Sequence, residues 1–355
     1  MAIYAYLFDS EGQDRPVKLD ASVVSEVGNL QLLWVDLKGN SPDEFSRVSE
    51  LFDFPQSLWS TMNSSAGKAQ RPRLDLYSTC FHVNVDAIQE RGDSGAGPES
   101  VVAHPVKHDS GESGHWHGIS SNSAFKRITV NAVVFPNVVV TIHDLQATFL
   151  DNFDERIKGD THLGRLDGPA FLGVLLNWHI TGYFRALEIL EAEVDRLDDA
   201  ALRLRDDRNL LTDLVRLRRR VALVRHTLLP HREVYATLAR PSFAPFVTDD
   251  ATKTLGLVYD RMERAVEATE NARELVLGSF DIFTTQTALR TNEVVKVLTV
   301  VSALLLPAGV IATLATLLIR APVYDLGRTG FWAIGAFVVL LGTSGILVAR
   351  TRRWI

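Results

Sequence analysis

Cysteine is almost absent from this chain: Cys80 is the single one in 355 residues. That excludes an intrachain disulfide framework and a metal cluster built on several thiolates. Basic charge is not in excess either. Lys and Arg number 37 against 43 Asp and Glu, a formal net charge of -6, so the chain lacks the electrostatic footprint of a nucleic-acid binder and no nucleic-acid partner is expected. The first stretch, MAIYAYLFDSEGQDR, has no basic region and meets an acidic residue at Asp9, so it does not read as a secretory signal. The N-terminal bulk is expected in the cytosol. No nucleotide-binding loop, nucleophile constellation or metal-hydrolase motif stands in the sequence, and an enzyme is not expected.

What is abundant is apolar sequence near the C-terminus. Two runs, Val297 to Ile319 and Phe331 to Ala349, are long enough at about 1.5 Å rise per residue to cross a hydrocarbon layer about 30 Å thick. Between them RAPVYDLGRTG, residues 320–330, is too short for a domain and forces an antiparallel hairpin. Both termini then share one side, and Arg350, Arg352 and Arg353 after the second run mark it as cytoplasmic. A buried hairpin of a soluble protein is the other structure such runs can form.

Ahead of the runs the chain has two characters. Residues 1–168 read as a cytosolic α/β domain: IYAYLF, LQLLWVDL and STCFHVNVDAI alternate as strands, Pro42 to about Met62 reads as a helix, and Phe135-Pro136-Asn137 makes a turn between two further β runs. Residues 91–123, rich in Gly, Ser, Pro and charge, read as a flexible insertion carrying His104, His108, His115 and His117, with a solvated loop weighed above a metal role. Residues 169–250 read as a helical hairpin. Its acidic Glu188, Glu191, Glu193, Asp195, Asp198 and Asp199, followed by the basic run LLTDLVRLRRRVALVR, fit paired or solvated faces better than a cation-attracting one.

From Asp249-Asp250, which can cap a helix, no proline intervenes before Pro307, so one helix can run unbroken into the first span. Such a rod, roughly 100 Å long, needs packing partners for an apolar stripe of Leu255, Tyr259, Met262, Val266, Val276, Phe280 and Phe283. Residues 251–296 form this stalk. On a seven-residue repeat the first span, 297–319, with its approach, gives Asn292, Val295, Thr299, Ser302, Leu306, Gly309, Thr313 and Thr316 on one face. That face suits a pore lining, or a small-residue surface for close helix packing. Two spans cannot enclose a water-filled path alone, so transport would demand a symmetric oligomer.

The junction TNEVVKVLTVVSALLLP, Thr291 to Pro307, resembles the stretch leading into the first transmembrane helix of the CorA family of divalent metal ion transporters, with its zinc-transporting ZntB branch. LLWVDL (32–37), QRPRLD (70–75), VVVTIH (138–143) and GYF (182–184) resemble the family's N-terminal pattern in the same order. The resemblance implies an α+β cytosolic domain with a mixed sheet, a long stalk helix and two transmembrane helices, assembled as a homopentameric funnel. It implies a bacterial inner membrane location, multi-pass with both termini cytosolic, membrane lipids as surroundings, no cofactor, and a divalent cation as the transported or regulatory ion.

The resemblance also places Asn292, Val295, Leu298, Leu306 and Gly309 on the axis and residues 331–349 as an outer second span; in such an assembly Arg350, Arg352 and Arg353 of the basic tail 350–355 would ring the pore neck, and topology and headgroup binding explain them equally well. Three departures stand out. The family's Gly-Met-Asn filter position holds Thr316-Leu317-Leu318, the periplasmic loop carries Arg320 and Arg328 against Asp325, and Leu257 stands where magnesium-sensing members often have an aspartate. Leucine offers no polar atom to a coordinated water. Expected, then, is a divalent-cation channel or transporter for Mg, Co, Ni or Zn with a non-standard mouth; a non-conducting, membrane-anchored metal-sensing or scaffold assembly is the alternative.

Overall fold

The computed structural model describes residues 2–9, 14–28, 30–39, 42–58, 71–90, 125–144, 147, 150, 153, 167–202, 209–241 and 243–320, with scattered positions between 332 and 344. The chain divides into two compact units, Met1–Leu197 with Asn209–Gly278, and Asp198–Arg208 with Ser279–Ile355.

The first unit holds a seven-stranded mixed sheet of β1 (Ala2–Asp9), β2 (Arg15–Val17), β3 (Gln31–Lys38), β4 (Arg73–Leu76), β5 (Phe81–Glu90), β6 (Phe125–Val134) and β7 (Val138–His143), in the order β2-β1-β3-β7-β6-β5-β4. Only β3 and β7 pair in parallel; every other neighbour is antiparallel. The expected Phe135-Pro136-Asn137 turn joins β6 to β7, closed by the Phe135 amide donating to the Val138 carbonyl at 2.8 Å. β3 is buried along nearly its whole length on both faces. Such a strand has to be covered from two sides.

On one face Leu33, Val35 and Leu37 join Ala5, Leu7, Val140 and Ile142 in a core completed by Val48, Phe52 and Phe54. Val48 lies on α2 (Pro42–Leu51), which follows a short α1 (Ala21–Glu26). The helix expected to reach about Met62 stops at Leu51. Asp53 takes a left-handed φ of 49°, and the Phe54 amide reaches back to the Ser49 carbonyl at 2.9 Å, the helix-ending hydrogen bond that glycine most often permits. An aspartate in that role gives no clear signal in sequence.

The other face meets α3 (Gly168–Leu202), whose Phe171 and the nearby Phe153 pack on Trp34 of β3 with centroids 5.5 and 5.7 Å away. Its start is held tightly. A Cβ on Gly168 would stand 2.1 Å from the Phe135 carbonyl oxygen, and the Gly168 amide donates to Pro136 at 2.7 Å. Then come α4 (Leu210–Leu228), α5 (His231–Leu238) and α6 (Asp249–Arg320).

The caps differ from the expected pattern. Thr248, rather than Asp249 or Asp250, caps α6 by accepting from the Ala251 amide at 3.2 Å. Its hydroxyl donates to Asp167 at 2.9 Å, while the other oxygen of Asp167 accepts the Ala170 amide at 2.7 Å. One carboxylate therefore serves the N-termini of two helices, where the helix dipole favours negative charge.

Along α6 as far as Ser279 the buried positions are Ala251, Leu255, Val258, Met262, Ala265, Thr269, Ala272, Val276 and Ser279. They step alternately by four and three, a seven-residue repeat. Of the stripe expected from sequence, Leu255, Met262 and Val276 are buried, whereas Tyr259, Val266, Phe280 and Phe283 are half-exposed. The stripe is built largely from Ala, Thr and Ser, small residues that permit close approach and that a search for large apolar side chains passes over.

In the second unit α6 continues through Pro307 to Arg320. The described positions of the second apolar run that are helical include Trp332, Phe337, Val339 and Leu340, all exposed. The remainder of that run, the loop 321–330, the tail with Arg350, Arg352 and Arg353, and the histidines of residues 91–123 lie outside the described residues.

Candidate pore-lining helix and its supports

At about 100° per residue, Asn292, Val295, Leu298, Thr299, Ser302, Leu306, Gly309, Thr313 and Thr316 fall within an arc of about 120° on α6. All of those with described side chains are exposed, with Val295, Leu298 and Leu306 at 51%, 63% and 69%. Val300, about 140° from the middle of that arc, is buried. Thr316, Leu317 and Leu318 belong to the helix, but their side chains lie outside the description.

Hydroxyl chemistry on this arc is defined by the helix itself. The Thr299 hydroxyl donates to the Val295 carbonyl at 2.7 Å, and that of Thr313 to the Gly309 carbonyl at 2.7 Å. Thr287 and Thr291 do the same toward Phe283 and Thr287. A hydroxyl whose proton is committed to its own backbone offers neighbours only oxygen lone pairs. Gly309 adds open space, since nothing lies within 4 Å of a Cβ built there. Pro307 removes an amide hydrogen bond from the ladder nearby.

The apolar window of α6, within Asp249–Ile311, is long and apolar enough to cross a membrane and is almost bare, 6% buried. Among the described residues no group of three or more His, Cys, Asp or Glu could hold a metal ion. Leu257, the departure in the stalk, is 70% exposed and offers no ligand.

The charged runs of α3 and α4 are used as cross-braces. Glu193 pairs with Arg220, Arg225 with Glu270 of α6 at 2.5 Å, and Arg232 of α5 makes a two-toothed contact to Glu263 at 2.7 and 2.8 Å. Exposed pairs of this kind are individually weak.

The sequence pattern that carried the resemblance turns out to build two buried polar clusters. LLWVDL and VVVTIH are adjacent parallel strands, with Asp36 in register with Thr141. Trp34 Nε1–H donates to Thr141 Oγ1 at 3.0 Å, the Thr141 hydroxyl donates to Asp36 at 2.6 Å, and His143 Nε2 meets the second Asp36 oxygen at 3.2 Å. Burial works against a charged His143, but the Asp36 carboxylate outweighs it and holds the imidazole above its ordinary range.

The second cluster surrounds Asp86. β4 pairs with β5 only from Phe81 to Asn84, so beyond that point the edge of β5 has no neighbouring strand among the described residues. Side chains take its place. The Asp86 amide donates to His231 Nε2 at 2.8 Å, and its carbonyl accepts from His179 Nε2–H at 2.9 Å and from the Tyr183 hydroxyl at 2.5 Å. Tyr235 donates to His179 Nδ1 at 2.8 Å, and His231 Nδ1–H donates to Leu228 at 3.2 Å. Both rings are thus neutral with fixed tautomers. Burial pushes His179 down to about 4, and burial with the neighbouring His179 holds His231 well below its ordinary value. The Asp86 carboxylate, raised by burial, is met by Arg127 at 2.7 Å and Thr129 at 2.8 Å. Tyr183 comes from the GYF motif; sequence gave no sign of its partners, which lie 97 residues away for Asp86.

A mixed α/β domain and one very long helix, apolar enough in its distal half to cross a membrane, define the class: a sheet domain with a long stalk helix. The model of the CorA-like Mg2+ transporter protein family matches residues 29–315, and the chain belongs to that family. It is 27% identical over 184 residues to the cobalt/magnesium transport protein CorA of Thermotoga maritima, a match covering 52% of each protein, so the aligned part spans about half of that relative. Two solved structures share the fold. The complete CorA magnesium transporter of Methanocaldococcus jannaschii superposes with a TM-score of 0.74 at 16% identity, over 100% of this chain and 99% of that one. The full-length CmaX protein gives 0.67 at 19%, over 99% and 97%.

Proposed function

We propose that this chain forms a homopentameric channel or transporter for divalent metal cations, Mg2+, Co2+, Ni2+ or Zn2+, in the inner membrane, with both termini cytosolic and Thr316-Leu317-Leu318 at the mouth. Family membership supports the class of activity, and relatives are named for cobalt and magnesium transport. The observation that carries the reading for this chain is the exposed arc from Asn292 to Thr313. It combines hydroxyl oxygens presented as acceptors with apolar positions at Val295, Leu298 and Leu306. Lone pairs facing an axis suit a hydrated cation, whose waters donate outward, and apolar rings suit a gate that closes by dewetting. Five copies bring five such arcs around one axis, and hydrocarbon or neighbouring copies cover the rest of the bare helix.

Arg350, Arg352 and Arg353 would then ring the neck at the cytosolic surface beside lipid headgroups. The deciding measurement is uptake into proteoliposomes, with each of the four ions tested separately under a voltage or pH gradient. Flux of at least one ion is expected, and no flux of any would overturn transport in favour of a non-conducting assembly. The triple change Thr316→Gly, Leu317→Met, Leu318→Asn is expected to raise magnesium uptake. Unchanged uptake would show that the missing asparagine is not what limits it.

A further inference from the structure

The Asp36–His143 pair stands where two chain exits meet. β3 and β7 run parallel and end side by side, in register from Leu33↔Val138 to Lys38↔His143. β3 leads on to α2 on one face of the sheet, and β7 leads toward α3 on the other. His143 is joined to both exits. Its carbonyl accepts the amide of Gly39, a residue with φ of 99°, at 2.8 Å. Its ring Nδ1 lies 2.8 Å from the Asp144 carbonyl and its Nε2 lies 3.2 Å from the Asp36 carboxylate.

Both of those partners are acceptors, so both ring nitrogens must donate, which only the imidazolium does. Asp36 and His143 are each 4% exposed. A neutral ring in this position would leave either the Asp144 carbonyl or one carboxylate oxygen without its donor, and a buried polar group so stranded is costly. Among the described residues the charged groups facing the ring are Asp36 and Lys38 on β3 and the exposed Asp144 beyond β7. Lys38 opposes the positive charge, but its ammonium lies 4.8 Å over the Tyr4 ring. From α3 the approach to this cluster is aromatic, through Phe171 on Trp34.

We propose that His143 is a proton-operated clasp, closed as an imidazolium that ties the exits of β3 and β7 together and opened when the ring loses a proton to solvent. The release is transmitted along Asp36, Thr141 and Trp34 to Phe171 in the first turn of α3. That turn shares the Asp167 carboxylate with the start of α6, so the clasp bears on where both helices begin. Its sign is set by the raised value in the folded chain: the contribution is complete below about pH 6.5, the ordinary histidine value, and is lost as pH rises through the folded one.

Trp34 is a reporter within the network. In the full chain labelled with fluorotryptophan, the Trp34 fluorine resonance is assigned by its loss in Trp34→Phe and followed from about pH 5.5 to about pH 9.5, a window centred above the ordinary histidine value. One titration step above about pH 6.5 is expected. His143→Gln should abolish it, and Asp36→Asn should move its midpoint down by about one unit or more, because the ring loses its charge partner. A flat wild-type resonance, a step that persists in His143→Gln, or an unmoved midpoint in Asp36→Asn would each overturn the clasp. Should His143→Gln melt too low to titrate, the Asp36→Asn midpoint decides alone.

Discussion

Leu255 and Leu305 are the same residue on the same helix, one 1% exposed and the other 65%. The first lies in the unit that carries the sheet, where the chain supplies its own cover. The second lies in the unit of Asp198–Arg208 and Ser279–Ile355, where most of the described long apolar side chains are exposed. Both sit in uninterrupted helix, Leu255 in a stretch of mixed polarity and Leu305 in the apolar run Val297 to Ile319. The difference is where the stabilising surroundings come from. Near Leu255 they are other parts of the same polypeptide, whereas near Leu305 the described residues supply little of them; on the proposed function, hydrocarbon and further copies do.

That contrast can be broken most severely at Gly168. Gly168→Ala puts a methyl group into the Phe135 carbonyl, and we expect about 3 kcal/mol or more of lost stability, or no folded protein, as read by denaturant unfolding of the purified full chain. Next is the leucine pair. Leu255→Ala should cost about 2–5 kcal/mol, while Leu305→Ala in detergent should cost less than about 1 kcal/mol; equal losses would mean that the distal helix is packed as tightly as the proximal one.

A smaller effect distinguishes the two histidine clusters. His179 is held down to about 4, so the unfolded chain binds a proton that the folded one refuses, and stability falls as pH drops from about 6.5 toward 4. The stability advantage of wild type over His179→Gln should therefore shrink across that acid window. The contribution of His143 has the opposite sign, fading as pH rises, so the histidine terms together favour a maximum between the two limbs. A modest change is Tyr183→Phe, which removes one of two donors to the Asp86 carbonyl and should cost about 1–2 kcal/mol in the same unfolding measurement.

Much of the fold was legible because its periods are strong. The strand alternations, the proline turn of β6–β7, and the unbroken helix beyond Asp249 all follow from local pattern. What escaped has a common cause. Asp53 ends α2 without being glycine, Thr248 caps α6 in place of the neighbouring aspartates, and Ala, Thr and Ser share the buried stripe of α6 with larger side chains. In each case the deciding neighbour is a backbone atom or a distant element. For the candidate site, the arc on α6 was readable from spacing, but the direction of its threonine protons was not. That required the backbone carbonyls of Val295 and Gly309 to be in place.

By itself, then, the sequence determined the sequence of elements, the family pattern and the apolar tract, because each depends on residue type and spacing along the chain. Tertiary structure alone decided that LLWVDL and VVVTIH are one parallel pair sharing a buried charge, and that His179, His231 and Tyr183 seal the open edge of β5 at Asp86. Burial disfavours the charged form of each of these histidines; the Asp36 carboxylate outweighs it at His143, whereas burial prevails at His179 and His231. Residues far apart in the chain supply that partner, and only the fold brings them together.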